Sequence, residues 1–326
     1  MSAGPDDDFL RLVAPHRNAV RLHCYRLLGS THDSEDVLQE TLVRALRARE
    51  SLGSAGAVRP WLYRIATNAC LDELKDRARR AMPIDVVPPV TDATAPPVPA
   101  SPEATWLEPC PDAWMAGVAR DAGAAYELRE SVALAFVAAL QCLSAQQRAV
   151  LLLRDVLGMR AEETAAALGI TVPAANSALH RARTALRERF GGSEDAVAFD
   201  ATSEVDEKLL RKYLCAWEAL DVEAFVALLH DDIVSSMPPS PTWLRGRAAT
   251  AAFAAARPFS ALAGKSHRVV PTSANGQPAL AFYLTGELQA LHVVRFRHGR
   301  VVELHHFHDV ASLAAFDLPR HLEIAR

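Results

Sequence analysis

The chain has 326 residues, half of them hydrophobic, which is enough for two or three globular domains. Its formal net charge is −4, so a nucleic acid would have to be bound by local clusters of cations and not by the overall charge. The five cysteines form no CxxC pair, and no apolar stretch reaches the ~20 residues of a membrane span, so we expect a cytoplasmic protein with reduced thiols and without metal, cofactor or membrane contact.

Changes of composition divide the chain into five segments. Helical periodicity extends over residues 6–81 and returns over 126–190. The segment 82–125 between them is rich in proline, which excludes a helix or a central strand, so we predict a linker there. A short second linker, 191–203, precedes residues 204–320, where two helices are followed by alternating runs typical of strands. The predicted fold is therefore multidomain, with two all-α domains and one α+β domain.

The first helical segment contains a helix with an acidic face. This helix is predicted to begin near His32, with Asp33 as its N-cap, and its apolar side carries Leu38 and Leu42. The opposite side is predicted to carry four polar residues: Asp33, Asp36, Gln39 and Glu40. Such a row is also usual on a solvated helix face, so by itself it does not indicate a partner.

The next predicted helix begins at Pro60 and ends in a cluster of cations. Pro60 suits the first turn, and Leu62 and Ile65 recur at the spacing of a buried face. Hydrogen-bond donors are predicted on its exposed side: Arg64, Asn68, Lys75, Arg77, Arg79 and Arg80. Donors along one face can follow DNA phosphates, and an asparagine near the start of a helix can read a base edge.

The second helical segment ends in a predicted helix-turn-helix. Ser144 is expected to cap a helix, Gly169 to end the next one, and Thr171 to cap the last, with Pro173 in its first turn. The outward side of the last helix carries six polar residues: Asn176, Ser177, His180, Arg181, Arg183 and Thr184. The first part of such a helix reads bases in the major groove, although an arginine-bearing helix is often only a solvated surface.

Two sequence blocks, in this order, resemble one family. DSEDVLQETLVRAL followed by PWLYRIATNACLDELKDR resembles region 2 of the extracytoplasmic-function sigma factors of bacterial RNA polymerase, and LSAQQRAVLLLRDVLGMRAEETAAALGITVPAANSALHRARTAL resembles their region 4. The resemblance implies that the acidic helix contacts the β′ subunit of core polymerase. It also implies that the loop 52–59 and the donors after it recognise the −10 promoter element, and that the helix-turn-helix binds the −35 element. Core polymerase (β′ and β) and promoter DNA are the expected partners, and no anti-sigma factor is evident.

The proline-rich linker departs from the usual pattern of this family because it is long and contains two tryptophans. Its WLEP sequence resembles a motif of sigma factors that carry a SnoaL-like domain. We hypothesise that Trp106, Leu107 and Pro109 dock on a folded domain and hold the two DNA-binding regions in an arrangement unsuited to the promoter.

The C-terminal segment resembles the SnoaL-like, NTF2-like superfamily, which implies helices packed into a curved sheet that forms a cone with a pocket. His298-Gly299 predicts a hairpin turn between the last two strands. The residues predicted to line a cavity are Trp243, Tyr283, His292 and Phe307. His305 and His306 should point to opposite faces, so pocket-lining, proton-transfer and metal-binding roles all stay open for the histidines, and no catalytic residue is assigned.

Together these patterns predict a promoter-specificity subunit without catalytic activity, regulated in cis by its C-terminal domain, which could also bind a small-molecule ligand. Two alternatives stay open: a bifunctional factor whose C-terminal domain is a small-molecule enzyme, and a helix-turn-helix repressor that acts without polymerase. The acidic helix argues against the repressor.

Overall fold

The computed structural model describes residues 5–54, 57–75, 79–100, 105–189 and 207–323. The chain forms two compact units. The first consists of residues 1–79 and 112–199, and the second consists of residues 80–111 and 200–326. The expected multidomain fold is confirmed, with helices in the first unit and a mixed helix and sheet domain in the second. The proline-rich segment is divided between the units. Its longer part belongs to the unit of the C-terminal domain, and the rest belongs to the unit of the helical domains.

The N-terminal part of the first unit contains four helices, which we call the first helical domain: α1 Pro5–Val13, α2 Arg17–Leu28, α3 Thr31–Arg47 and α4 Val58–Glu73. The predicted N-cap of α3 is wrong. Ser30 caps the helix, because its hydroxyl oxygen accepts the backbone N–H of Asp33 (3.1 Å), and Asp33 lies inside the first turn. α4 ends at Glu73, before the predicted cationic cluster, and the backbone of Ala81 already pairs with Thr105 and Leu107.

Up to residue 189, where the described part ends, the second helical domain contains five α-helices: α5 Ala122–Val132, α6 Leu134–Leu140, α7 Ala145–Leu151, α8 Ala161–Leu168 and α9 Val172–Arg189. The predicted caps are confirmed. Ser144 accepts the backbone N–H of Gln147 (3.3 Å), and Thr171 accepts that of Ala174 (3.3 Å). Gly169 follows α8 with a φ of +63°, a left-handed conformation that suits glycine. α8 and α9 therefore form a helix-turn-helix.

The two helical domains share one apolar core. Buried side chains of α2 and α4, among them Leu27 and Leu62, belong to the same cluster as Val150 of α7 and Leu179 of α9. Apolar area removed from water stabilises such an arrangement by about 25 cal/mol per Å². The two domains therefore form one folding unit in this conformation.

Over its described residues, the second unit contains four α-helices and a six-stranded sheet. The helices are α10 Glu207–Glu218, α11 Val222–Ala227, α12 Arg247–Ala254 and α13 Ser260–Leu262. The strands are β1 Leu229–Ser236, β2 Trp243–Arg245, β3 His267–Ala274, β4 Gln277–Leu284, β5 Glu287–Arg297 and β6 Arg300–Phe307. Their order is β2-β1-β6-β5-β4-β3, and β1–β6 is the parallel pair. The predicted His298-Gly299 turn joins β5 to β6, with a positive φ at both residues.

The sheet is buried on both faces. The inner face packs on α10 and α11, where Phe282 and Leu304 meet Trp217 and Phe225 in one core. Side chains that alternate with these point to the outer face, where Leu291 is also fully buried. Along the described residues, no helix has the length and hydropathy needed to cross a membrane.

Candidate functional site

Three of the four predicted acidic-face residues form an exposed row on α3, which we call the acidic surface: Asp36, Gln39 and Glu40. The fourth, Asp33, is only 6% exposed and lies in the first turn of the helix, so it is not part of this surface. Arg44 fixes one end of the row, because it donates to Glu40 (2.8 Å) and to Asp72 of α4 (3.1 Å). These hydrogen bonds raise the pKa of the Arg44 guanidinium. The acidic surface is therefore held at a defined position relative to α4.

Two of the predicted DNA-contacting donors, Arg64 and Asn68, are exposed on α4 itself. The amide Nδ2 of Asn68 donates to the carbonyl of Ala167, at the C-terminal end of α8 (3.3 Å). The first helix of the helix-turn-helix thus contacts the residue expected to read a base. A base contact by the Nδ2 group of Asn68 would therefore compete with the carbonyl of Ala167.

Lys75, Arg79 and Arg80 do not continue the α4 stripe, because the helix ends at Glu73. Lys75 follows the end of the helix and donates to Asp72 (2.8 Å), a hydrogen bond that lowers the pKa of that carboxyl together with one from Arg44. Arg79 is exposed, and Arg77 lies outside the described residues. Arg80 belongs to the second unit, where it donates to the carbonyl of Trp106 (2.8 Å) and to Glu108 (3.2 Å).

The recognition helix α9 presents most of its predicted residues to solvent. Its exposed residues are Asn176, Ser177, His180, Arg181 and Arg183, and Thr184 is half-buried. The inward side packs through Ala175, Ala178, Leu179 and Ala182. Arg183 makes a two-pronged ion pair with Asp155 (2.6 and 2.9 Å), which raises the pKa of its guanidinium. A phosphate contact by Arg183 would therefore compete with Asp155.

Two buried arginines, which the sequence patterns did not single out, connect the helical domains. Arg148 of α7 is 4% exposed and donates to the carbonyl of Leu27 at the end of α2, as well as to Gln141 Oε1 (2.6 Å). Arg26 of α2 donates to the backbone carbonyl (3.0 Å) and hydroxyl (2.6 Å) of Ser131 at the end of α5. Cations at helix C-terminal carbonyls are favoured by the helix dipole. The sequence does contain a signal for the buried role of Arg148, because this arginine lies within the apolar run of α7.

The proline-rich linker lies on the C-terminal domain within the second unit. The indole N–H of Trp243 donates to the carbonyl of Val87 (2.7 Å), and the backbone N–H of Val90 donates to the carbonyl of Trp243 (3.0 Å). Further along the linker, Cys110 and Asn275 exchange two hydrogen bonds of 2.9 and 2.8 Å.

The WLEP residues lie in this docked linker. Leu107 and Pro109 are buried, and Trp106 is half-buried. Trp114, which follows the docked part, belongs to the first unit, where the guanidinium of Arg21 lies 4.8 Å from its ring centre. The linker thus has one anchored part in each unit.

The four residues predicted to line a cavity are divided between the two faces of the sheet, so they do not form one site. His292 is opposite His306 and Leu291 is opposite Phe307 in the β5–β6 register, which places Phe307 on the outer face. Tyr283 is also on the outer face and donates to the carbonyl of Pro319 (2.8 Å). Trp243 is engaged by the linker. His292 alone lies on the inner face.

The inner face contains a chain of hydrogen-bonded polar side chains. His292 Nε2 and His306 Nδ1 share a hydrogen bond of 2.8 Å, and His306 Nε2 lies 3.2 Å from Ser235 Oγ. Tyr213 Oη lies 3.4 Å from His292 Nδ1, and the rings of His292 and Phe282 stack at 3.7 Å. His305 points to the outer face, as the alternation predicted, and bonds Ser236 (2.8 Å).

Burial, together with the charge of neighbouring histidines, lowers the pKa of both His292 and His306 well below its usual range. In the unfolded chain these groups titrate near pH 6.5, so the unfolded state takes up protons first as the pH falls. We therefore expect the stability of this domain to be constant at higher pH. It should fall by up to about 1.4 kcal/mol per pH unit for each histidine below about pH 6.5, until the folded pKa is reached.

Urea unfolding of the C-terminal domain between pH 8 and pH 5 measures this effect. The double variant His292→Leu/His306→Leu should lose most of the slope, with a remainder from His308, whose pKa burial also lowers, while His298→Asn, at an exposed turn residue, should keep it. An equal slope in wild type and double variant would contradict the expectation.

Comparison with known proteins agrees with this architecture. Family models match three parts of the chain: sigma-70 region 2 at residues 12–80, sigma-70 region 4 at residues 133–186, and a SnoaL-like domain at residues 210–304. The ECF RNA polymerase sigma factor SigG of Mycobacterium tuberculosis (strain ATCC 25618 / H37Rv) is 39% identical over 316 residues, which cover 96% of this chain and 84% of SigG. The probable ECF RNA polymerase sigma factor SigI of the same strain is 24% identical over 291 residues, 86% of each chain.

Among solved structures, the extracytoplasmic function sigma factor SigJ of Mycobacterium tuberculosis has a similar fold, with a TM-score of 0.59 at 20% identity over 93% of this chain and 98% of SigJ. That likeness concerns the fold alone. The identity with SigG extends over nearly the whole chain and includes all three matched regions. The chain is therefore a member of the extracytoplasmic-function sigma factors of RNA polymerase, with a SnoaL-like domain at its C-terminal end.

Proposed function

We propose that this sigma factor is held in a closed, inactive state by contacts between its two helical domains, and that its SnoaL-like domain controls release from that state. In the open state, the acidic surface binds core polymerase. Arg64 and Asn68 then contact the −10 element, and the exposed side of α9 contacts the −35 element. The observation that carries the proposal is the hydrogen bond from Asn68 to Ala167. Through this contact, the residue proposed to contact the −10 element binds the helix-turn-helix proposed to contact the −35 element.

The docked linker supports control in cis. Residues 80–111 connect the two helical domains and fold with the SnoaL-like domain. A free proline-rich linker is extended, at about 3.1 Å per residue, and would let its ends separate widely. Instead, Trp243 donates to a linker carbonyl, while Asn275 Oδ1 and Thr242 Oγ1 accept linker backbone N–H groups, so the backbone is held at several points. Release of the linker from the SnoaL-like domain would therefore give the helical domains the freedom to separate.

The test of regulation is transcription in vitro with core polymerase and a promoter selected from random DNA. Asn275→Gly keeps the left-handed turn conformation at this position but removes the side-chain acceptor for Cys110. Together with Trp106→Ala, it should release the linker and raise the number of transcripts several-fold. Val86→Ala, an exposed linker residue (59%), is the matched control. Equal output from wild type and the double variant would contradict control through the linker.

The polymerase contact is tested separately by co-purification with core polymerase. Asp36→Lys reverses a charge in the acidic surface and should weaken core binding at least tenfold. Glu50→Lys makes the same charge change at an exposed position outside that surface and should leave binding unchanged. Retained binding by Asp36→Lys would show that the acidic surface is not the polymerase contact.

A second activity in the SnoaL-like domain has one supporting observation, the hydrogen-bonded chain of His292, His306 and Ser235. A neutral imidazole can transfer protons, so this chain has the groups that an isomerase would need. Turnover of a small molecule that is lost in His306→Gln, with promoter-dependent transcription unchanged, would establish the bifunctional alternative.

A further inference from the structure

A cavity of about 920 Å³ lies within the first unit, between the two helical domains. Its wall includes residues of α2 and α4, the segment from Gly117 into α6, and the last two turns of α9. A space of this size can hold a drug-sized molecule. Its wall shares only Arg59, the last residue of the loop 52–59, and Arg183 of α9 with the surfaces assigned above to DNA, and it shares none with the acidic surface.

The wall of this cavity is positively charged. Five arginines line it against three carboxylates, which leaves an excess of two positive charges: Arg26, Arg59, Arg120, Arg183 and Arg187 against Glu127, Glu130 and Asp155. Arg183 is engaged by Asp155, and Arg26 is engaged by Ser131. The guanidinium groups of Arg59, Arg120 and Arg187 belong to exposed residues at the rim. The positive field reaches His16, whose pKa is lowered by burial and by Arg59.

The deeper part of the cavity is apolar. Phe136, Leu151, Val156 and Leu186 line it and also pack on the core shared by the helical domains. An apolar floor beneath a cationic rim is complementary to a molecule with a hydrophobic body and an anionic head. Arginine is well suited to such a head, because its planar donors match a carboxylate or phosphate.

We propose that this cavity binds a small amphipathic organic anion, with the apolar body against Phe136 and Leu186 and the anionic head between Arg59, Arg120 and Arg187. Both helical domains contribute to the wall, so the complete site exists only while they are packed together. The bound anion therefore stabilises the packed arrangement by RT ln(1 + [L]/Kd). On the proposed function, this arrangement is the inactive one, and the anion lowers transcription.

Binding to the full-length protein is measured by calorimetry with decanoate, and 1-decanol serves as the uncharged probe of equal chain length. We expect decanoate to bind with a Kd below about 1 mM and decanol to bind at least tenfold more weakly, because it lacks the charge. The double variant Arg120→Gln/Arg187→Gln should weaken decanoate binding at least tenfold. Arg181→Gln, an exposed arginine of α9 outside the cavity, should leave it unchanged.

A space-filling variant, Ala119→Trp, tests the location independently of charge. Decanoate binding that survives both Ala119→Trp and the double arginine variant would overturn the proposed site, as would equal binding of decanoate and decanol. A separate arm adds decanoate to transcription assays with core polymerase. If decanoate binds as expected but leaves transcription unchanged, the site stands, and the assignment of the packed arrangement as inactive fails.

Discussion

Substitution of Trp217 by alanine is expected to remove about 3–5 kcal/mol from the free energy of unfolding of the SnoaL-like domain. The indole is 2% exposed and lies at the centre of the inner-face core. Its ring centre is 4.6 Å from that of Phe259, 4.9 Å from Phe282 and 5.5 Å from Phe225. Removal of the ring leaves a cavity among rigid aromatic side chains, which cannot close around alanine without breaking these contacts.

Urea denaturation followed by far-UV circular dichroism measures this loss, and Trp217→Phe is the conservative control. Phenylalanine keeps part of the ring contact, so its loss should be less than half that of alanine. Val86→Ala in the exposed linker should change the free energy by less than about 0.5 kcal/mol. A loss below about 1 kcal/mol for Trp217→Ala would show that the aromatic cluster is not the main support of this domain.

The second large effect is expected for Arg148→Ala in the first unit. The substitution leaves the buried carbonyls of Leu27 and Leu143 and the amide oxygen of Gln141 without the donor that now serves them. Each unsatisfied buried acceptor costs about 1–3 kcal/mol, while removal of the buried charge offsets part of this cost. We expect a net loss of about 2–4 kcal/mol in the stability of the first unit.

Because the carbonyl of Leu27 belongs to α2 and Gln141 follows α6, Arg148→Ala should also weaken the contact between the helical domains. Hydrogen exchange of α2 and α4 amides measures this opening, and exchange should be faster in the variant. Arg160→Ala removes an exposed arginine paired with Glu163 (3.0 Å) and should change stability by less than about 0.5 kcal/mol. Unchanged exchange in Arg148→Ala would contradict its role between the domains.

Local signals predicted much of the fold correctly. Ser144, Gly169 and Thr171 were assigned as helix boundaries because capping depends on residues three or four positions away. The His298-Gly299 turn was predicted for the same reason. The N-cap of α3 is the exception: Ser30 caps the helix, although Asp33, three residues later, has an equally suitable side chain.

The candidate sites can be divided in the same way, into those that follow from local patterns and those that do not. The exposed residues of α9 follow from helical periodicity, because an amphipathic helix has one buried side. The cavity predicted in the SnoaL-like domain does not follow from periodicity. Its four residues share only their type, aromatic or histidine, which does not indicate the face of the sheet on which each lies. The strand register then placed Phe307 and His292 on opposite faces.

The sequence by itself determined the order and type of the three domains, since these rest on composition and on spacings within one helix, turn or hairpin, and the resemblance of its motifs to known families indicated their identity. Only the tertiary structure decided how they are joined: the core shared by α2, α4, α7 and α9, the bond between Asn68 and Ala167, and the linker docked on Trp243 and Asn275. The hydrogen bonds among these contacts join residues about a hundred positions apart or more, and the shared core joins α2 and α4 to α7 and α9 across the proline-rich segment. Periodicity and capping depend only on near neighbours along the chain, so contacts at such separations leave no trace in them.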